Sequence, residues 1–260
     1  MTLSFDEFEA AVRFLRAAGV EDARWEIARL AREELNSIQF NSILRRRASG
    51  IPLQYLLGTS DFYGYTFAVG EGVLIPRPET EYLVAYALNG MELNSIVYDL
   101  CAGSGCIGVS IAKEQPQAEV YLFELSEEAL FYSRKNAGDL PNTYILRQDI
   151  TTPPPANLPR PDVIVSNPPY IPTEELPILQ REVQKEPPMA LDGGTDGLYF
   201  YHAIAKYWLP LLRPAGRFVV ECGEEQPIIV AQMFANAGYP ARTAKDCFGV
   251  ERFVIAALPE

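Results

Sequence analysis

Asn167-Pro168-Pro169-Tyr170 is a tetrapeptide equipped to handle a planar nitrogen that carries two hydrogens. The Asn167 side-chain oxygen and the Pro168 carbonyl can each accept an N–H bond, and the Tyr170 ring can pack against a π face. Two consecutive prolines, Pro168 and Pro169, fix the backbone that carries these groups. The tetrapeptide follows Asp162-Val163-Ile164-Val165-Ser166, a β-branched run that reads as a buried strand. Open α/β sheets bind ligands beyond the carboxyl ends of their strands, so these four residues stand where a substrate would sit. Asn167, Pro168, Pro169 and Tyr170 are the candidate substrate-binding residues, with the catalytic work assigned to Asn167, Pro168 and Tyr170.

A second constellation lies upstream. Asp99-Leu100-Cys101-Ala102-Gly103-Ser104-Gly105-Cys106 follows a strand and opens a helix. Gly103 and Gly105 allow a tight turn and close approach of the backbone to a ligand. Such a turn fits a dinucleotide or S-adenosylmethionine. Glu124 ends the next strand, about twenty residues on, where an acid bonds ribose hydroxyls. Asp149 follows the third strand and can accept a bond from an adenine amino group, with Ile150 packing beside it. The candidate cofactor residues are therefore Cys101, Ala102, Gly103, Ser104 and Gly105 in the turn, and Glu124, Asp149, Ile150 and Asn167 around it. A nicotinamide enzyme would share the turn and the acids. The aromatic tetrapeptide and an antiparallel end to the sheet tip the balance to methyl transfer.

These sites need elements to hold them. From Ile96 onward strands and helices alternate, the signature of an α/β doubly wound sheet. Strands are expected at Ile96–Leu100, Ala118–Glu124, Thr143–Leu146, Val163–Ser166 and Arg217–Cys222. Helices are expected at Cys106–Lys113, Glu127–Asn136, Gly197–Leu212 and Glu225–Ala237. The last two strands, Ala241–Lys245 and Glu251–Ala257, are joined too closely for a crossover helix and must run antiparallel. Upstream, Ser4-Phe5-Asp6-Glu7 reads as a capping box. Helical spacing follows to Leu15, a second helix spans Ile27 to Leu35, and a third Phe40 to Arg47. Phe62–Val69 reads as two short strands around Gly64, and Pro78 opens a helix that runs to about Leu88. The expected divisions are a helical domain at 1–58, a β-hairpin linker at 59–75 and a catalytic domain at 76–260.

Composition removes other chemistries. The formal net charge of the 260 residues is -12, which argues against direct nucleic-acid binding. Cys101, Cys106, Cys222 and Cys247 form no C-x-x-C pair and have no histidine near them, so no metal site is expected. Their sparse use suits a reducing cytoplasm. The single histidine, His202, lies in a helix-like run without a nucleophile motif, which excludes a histidine-based hydrolase. The start lacks the cationic and apolar pattern of a signal peptide, and no apolar run reaches membrane-spanning length.

Taken together, the chain resembles the protein-(glutamine) methyltransferase family that modifies peptide chain release factors, known as PrmC or HemK. The resemblance covers nearly the whole length. It is carried by Arg45-Arg46-Arg47, Pro52 to Gly58, Leu74-Ile75-Pro76-Arg77-Pro78-Glu79-Thr80-Glu81, the glycine turn and Val165 to Ile171. Glu186-Pro187 with Ala190-Leu191, and Glu221-Cys222-Gly223 with Gln226, also match. The resemblance implies a class I, Rossmann-like methyltransferase sheet using S-adenosylmethionine, with S-adenosylhomocysteine as product. It implies a helical amino-terminal domain that docks the release factor and methylation of the glutamine in that factor's Gly-Gly-Gln loop; a monomer is expected. Two departures stand out: Cys101 replaces a glycine, and the helical region between Leu35 and Arg45 is short. An adenine-N6 DNA methyltransferase would share the turn and the tetrapeptide, but it needs a basic cleft and a recognition domain. A silent cofactor-binding protein would not need the intact tetrapeptide. An amide nitrogen is a poor nucleophile, so the expected mechanism is positioning of the glutamine amide by Asn167 and the Pro168 carbonyl, without a general base.

Overall fold

The computed structural model describes residues 3–257; residues 1, 2 and 258–260 of the expected domain ranges lie outside them. Ser4 opens α1 (Phe5–Ala17) with the expected capping box, its hydroxyl accepting from Glu7 N while Glu7 accepts from Ser4 N. α2 (Ala23–Leu30) stops short of the expected Leu35, because the chain turns at Ala31–Glu33. α3 (Ser37–Ala48) starts earlier than Phe40, because Asn36 and Gln39 form a second capping box. A fourth helix, α4 (Leu53–Leu57), was not anticipated and ends at Gly58 in a left-handed cap. Val12, Leu15, Ile27, Leu30, Phe40 and Leu44 pack into a core of their own.

β1 (Thr59–Phe62) and β2 (Tyr65–Ala68) form an antiparallel hairpin. Tyr63 and Gly64 both have positive φ, the geometry of a two-residue hairpin turn. Asn136 fastens the hairpin to the body of the protein, accepting from Ala68 N and donating to Ala68 O.

The main sheet has seven strands in the order β5-β4-β3-β6-β7-β9-β8. They are β3 (Ile96–Leu100), β4 (Glu119–Glu124), β5 (Thr143–Arg147), β6 (Val163–Ser166), β7 (Arg217–Glu221), β8 (Ala241–Lys245) and β9 (Glu251–Ala257). All neighbours through β7 are parallel, and β9 runs antiparallel to both β7 and β8. Alternate side chains divide between two faces. Val97, Val120, Val165 and Val219 pack with α5 (Glu81–Leu88) and α6 (Cys106–Glu114). Tyr98, Phe123, Ile164 and Phe218 pack with Trp208 and with Val230 and Phe234 of α9 (Pro227–Asn236). α7 (Glu127–Ala137) follows β4. The mixed α/β sheet and the amino-terminal helices agree with the fold class read from the sequence.

The expected helix over Gly197–Leu212 is broken into pieces. α8 (Tyr199–Ala203) passes into a π turn at Ile204–Trp208 and a 3-10 turn at Leu209–Leu211. Pro210 has no N–H to continue an α-helical ladder. Between β6 and α8, residues 171–193 make a closed loop containing three 3-10 turns. Its ends meet where Ile171 N donates to Leu191 O and Gly193 N donates to Ile171 O. Among the described residues, no helix is long and apolar enough to cross a membrane.

Candidate active site

β3 delivers its carboxyl end into a turn built on left-handed residues. Cys101, Gly103 and Gly105 have φ of 60°, 57° and 78°. A side chain in that region costs roughly 1–2 kcal/mol, so Cys101 carries strain that a glycine would not. Gly108, one turn into α6, donates to Asp99 Oδ2 at 2.8 Å. A Cβ at Gly108 would stand 2.9 Å from that oxygen and from Leu122, so only glycine lets the helix settle against the strand.

Glu124 holds this turn in place. Its Oε2 accepts from Gly103 N at 2.7 Å, and its Oε1 accepts from Leu125 N and Ser126 N. Three of about four acceptor positions are thus committed to backbone, which fixes the carboxylate beside the glycine turn. Asp149 Oδ1 accepts from Thr151 N and Thr151 Oγ1, and its Oδ2 has no protein partner among the described residues. Trp208 Nε1 donates to the Ile150 carbonyl at 2.7 Å and so anchors the backbone next to Asp149.

A cavity of about 430 Å³ opens over these strand ends. Its wall includes Cys101, Ala102, Gly103, Ser104, Glu124, Asp149, Ile150, Asn167 and Pro169. Gly105, Pro168 and Tyr170 do not line it. Gly105 caps α6, Pro168 is buried, and Tyr170 turns its carbonyl to Gln226 Nε2 at 2.8 Å. The volume suits a nucleoside-sized ligand.

The wall also contains residues that sequence reasoning did not place in the site. Glu71, Leu74, Arg77 and Thr80 come from the segment before α5, and Met189 and Phe200 from the far side. The Leu74–Glu81 stretch, one of those that carry the family resemblance, thus supplies part of the wall. Glu186, in the 171–193 loop, explains how it is held: it pairs with Arg77 and accepts from Ile75 N. The Asn167 amide has its own support. Its Nδ2 donates to Thr80 Oγ1 at 3.2 Å, and Thr80 donates to Glu221 Oε2 at 2.7 Å.

The electrostatics favour a cationic guest. Glu71, Glu124, Glu128 and Asp149 line the cavity, and the guanidinium on the wall, Arg77, is already paired with Glu186. Burial pushes the Asp99 carboxyl up to about 7, against the Gly108 N–H bond, with Glu124 adding to the rise. Burial raises the Cys101 thiol well above its ordinary range, and Cys106 up to about 12. Both thiols are therefore neutral and unsuited to nucleophilic attack. Asp99 Oδ1 and Ser104 Oγ are buried without a protein partner, and Ser104, on the cavity wall, is a polar group that a ligand or its water would satisfy.

Comparison with known proteins bears on the fold and the family. Residues 80–194 match the family described as Methyltransferase small domain. A methyltransferase from Pyrococcus furiosus shares the fold, with a TM-score of 0.57 at 16% identity over 86% of this chain and 100% of that one. A release factor glutamine methyltransferase from Geobacter sulfurreducens is 42% identical over 82% of this chain and 75% of that protein. One from Caulobacter vibrioides is 39% identical over 92% of this chain and 85% of that protein. With likeness of that extent laid over a methyltransferase sheet, the chain belongs to the release factor glutamine methyltransferase family.

Proposed function

We propose that the protein moves a methyl group from S-adenosylmethionine to the side-chain amide nitrogen of the glutamine in the Gly-Gly-Gln loop of peptide chain release factors. The observation that carries this reading is the ladder between β3 and β6. Leu100 pairs with Ser166, so the glycine turn and Asn167 leave adjacent strands side by side. Bound in the cavity, S-adenosylmethionine supplies an electrophilic methyl group on a sulfonium whose charge suits the acidic wall. Glu124 accepts from a ribose hydroxyl through the acceptor position that its backbone bonds leave open, and Asp149 accepts from an adenine amino group, with Ile150 against the ring. Cys101 to Gly105 form the backbone cradle beside the methionine portion.

Asn167 Oδ1 and the Pro168 carbonyl accept the two hydrogens of the glutamine amide. That aims the nitrogen and favours the positive charge it gains as the new bond forms. Pro169 fixes the turn, and Tyr170 closes the back of the site. The amide proton passes to solvent after the methyl group has been transferred, without a dedicated base. Residues 1–58 serve as the docking domain, 59–75 as a β-hairpin linker and 76–260 as the catalytic domain. The acidic cavity mouth disfavours DNA, whose phosphates need basic partners.

Incubation with labelled cofactor and purified release factor, followed by mass mapping, should place the methyl group on the Gly-Gly-Gln glutamine. Asn167→Ala should cut transfer on the order of 100-fold or more while leaving cofactor affinity largely intact. Near-normal turnover in that variant, or label on DNA instead, would overturn the reading.

A further inference from the structure

We infer that Glu221, acting through Thr80, sets which way round the Asn167 amide stands, and so turns Oδ1 rather than Nδ2 toward the substrate. The two ends of an amide are nearly alike in shape but opposite in hydrogen-bonding sense. A substrate N–H needs the oxygen end. Something must therefore fix the choice, and the hydrogen-bond chain behind Asn167 does so.

Glu221 ends β7, the strand next to β6, where Ser166 pairs with Val220. Both Glu221 and Thr80 are 2% exposed, so water does not compete for their bonds. An ionised carboxylate only accepts. Thr80 has one hydroxyl hydrogen, and the 2.7 Å contact commits it to Glu221. Thr80 Oγ1 is left as an acceptor, and the atom of Asn167 facing it must be the donor Nδ2. Protonation of Glu221 removes this logic. A neutral carboxyl can donate to Thr80, whose hydrogen is then free to turn on Asn167 and draw Oδ1 inward. The donor end would then meet the donor end of the substrate.

The groups around Glu221 put this choice near neutrality. Burial raises its carboxyl up to about 7; the Thr80 bond, Arg252 and Arg77 oppose the rise, and Glu79 adds to it. Cys106, Cys222, Tyr170 and Tyr201 also face it, and burial keeps each of them neutral across that range. Thr80 and Glu221 are thus positioning residues, neither of them touching the reacting atoms.

The inference rests on Asn167 holding the substrate amide, and the test separates the two. Methylation of purified release factor is followed in the parent, Asn167→Ala, Thr80→Val, Thr80→Ser and Glu221→Gln at saturating cofactor. Thr80→Val should lower kcat on the order of 10- to 100-fold with little change in KM for the release factor, and Thr80→Ser should restore it. The parent kcat should fall as pH drops through about 7, and Glu221→Gln should flatten that limb. An inactive Asn167→Ala beside a fully active Thr80→Val, or an acid limb unchanged in Glu221→Gln, overturns this inference and leaves the site reading intact. An active Asn167→Ala overturns both. Should Thr80→Val fail to fold, the pH profiles of Thr80→Ser and Glu221→Gln decide.

Discussion

Asp99 illustrates how a single residue serves the turn at a cost that depends on pH. Its carboxyl moves from 3.8 to about 7 on folding, because burial disfavours the charge. Between those values the native state keeps a proton that the unfolded chain has released. Stability from this group is therefore fully present below about pH 4 and is lost as pH rises through about 7. Glu221, raised from 4.5 to about 7, acts in the same direction. Thermal unfolding should accordingly occur at a lower temperature at about pH 8 than at about pH 6, and Asp99→Asn should shrink the difference. A slope unchanged in that variant would refute the assignment. At this scale, what the sequence reveals depends on distance along the chain. Asn167, Glu124 and Asp149 stand out in the sequence because each ends or follows a short apolar, strand-like run. Thr80 and Glu221 were not, because they bond across a separation of 141 residues that no local pattern encodes.

Among the elements, the 171–193 loop connects the helical region to the catalytic sheet. Arg47 of α3 donates to both Glu26 oxygens and also to Glu182 in the loop. Arg181 reaches the Ala48 carbonyl, and Glu186 reaches back to Arg77 and Ile75. Arg47→Met should cost about 3–5 kcal/mol, since it leaves Glu26 buried without its cation. A urea titration should show the lower midpoint, and proteolysis after Arg181 and Lys185 should quicken; an unchanged midpoint would contradict the clamp. This loop was invisible to pattern reading. Thr173–Ile178, Val183–Lys185 and Pro188–Ala190 are 3-10 turns too short to show a period. The strands were the opposite case, since Val163–Ser166 and Ile96–Leu100 announce themselves by composition. The Gly197–Leu212 run has helical spacing throughout, and only Pro210 signals that its ladder cannot stay regular.

For the molecule as a whole, alternation of strands and helices foretold the doubly wound sheet, and the short final connection foretold its antiparallel end. Strand order was not foretold. Nothing in Val163–Ser166 says that it pairs with β3 rather than with β5, the strand before it in sequence. The chain from 148 to 162, which turns at 150–152 and again at 156–157 rather than running extended throughout, carries it across the sheet. The resulting neighbourhood of β3 and β6 has a further consequence. Ser166 Oγ donates to the Leu100 carbonyl at 2.8 Å, cross-tying two strands already joined by backbone bonds. Parallel strands lie about 4.8 Å apart, a spacing set by main-chain geometry that side-chain substitution leaves unchanged. The sheet is therefore a ruler, with the glycine turn at one mark and Asn167 at the next. A ruler measures its guests. A release-factor loop carrying asparagine in place of glutamine is one methylene shorter, and its nitrogen should stop short of the mark. Methyl transfer to such a loop should fall on the order of 100-fold or more, even where docking is unimpaired.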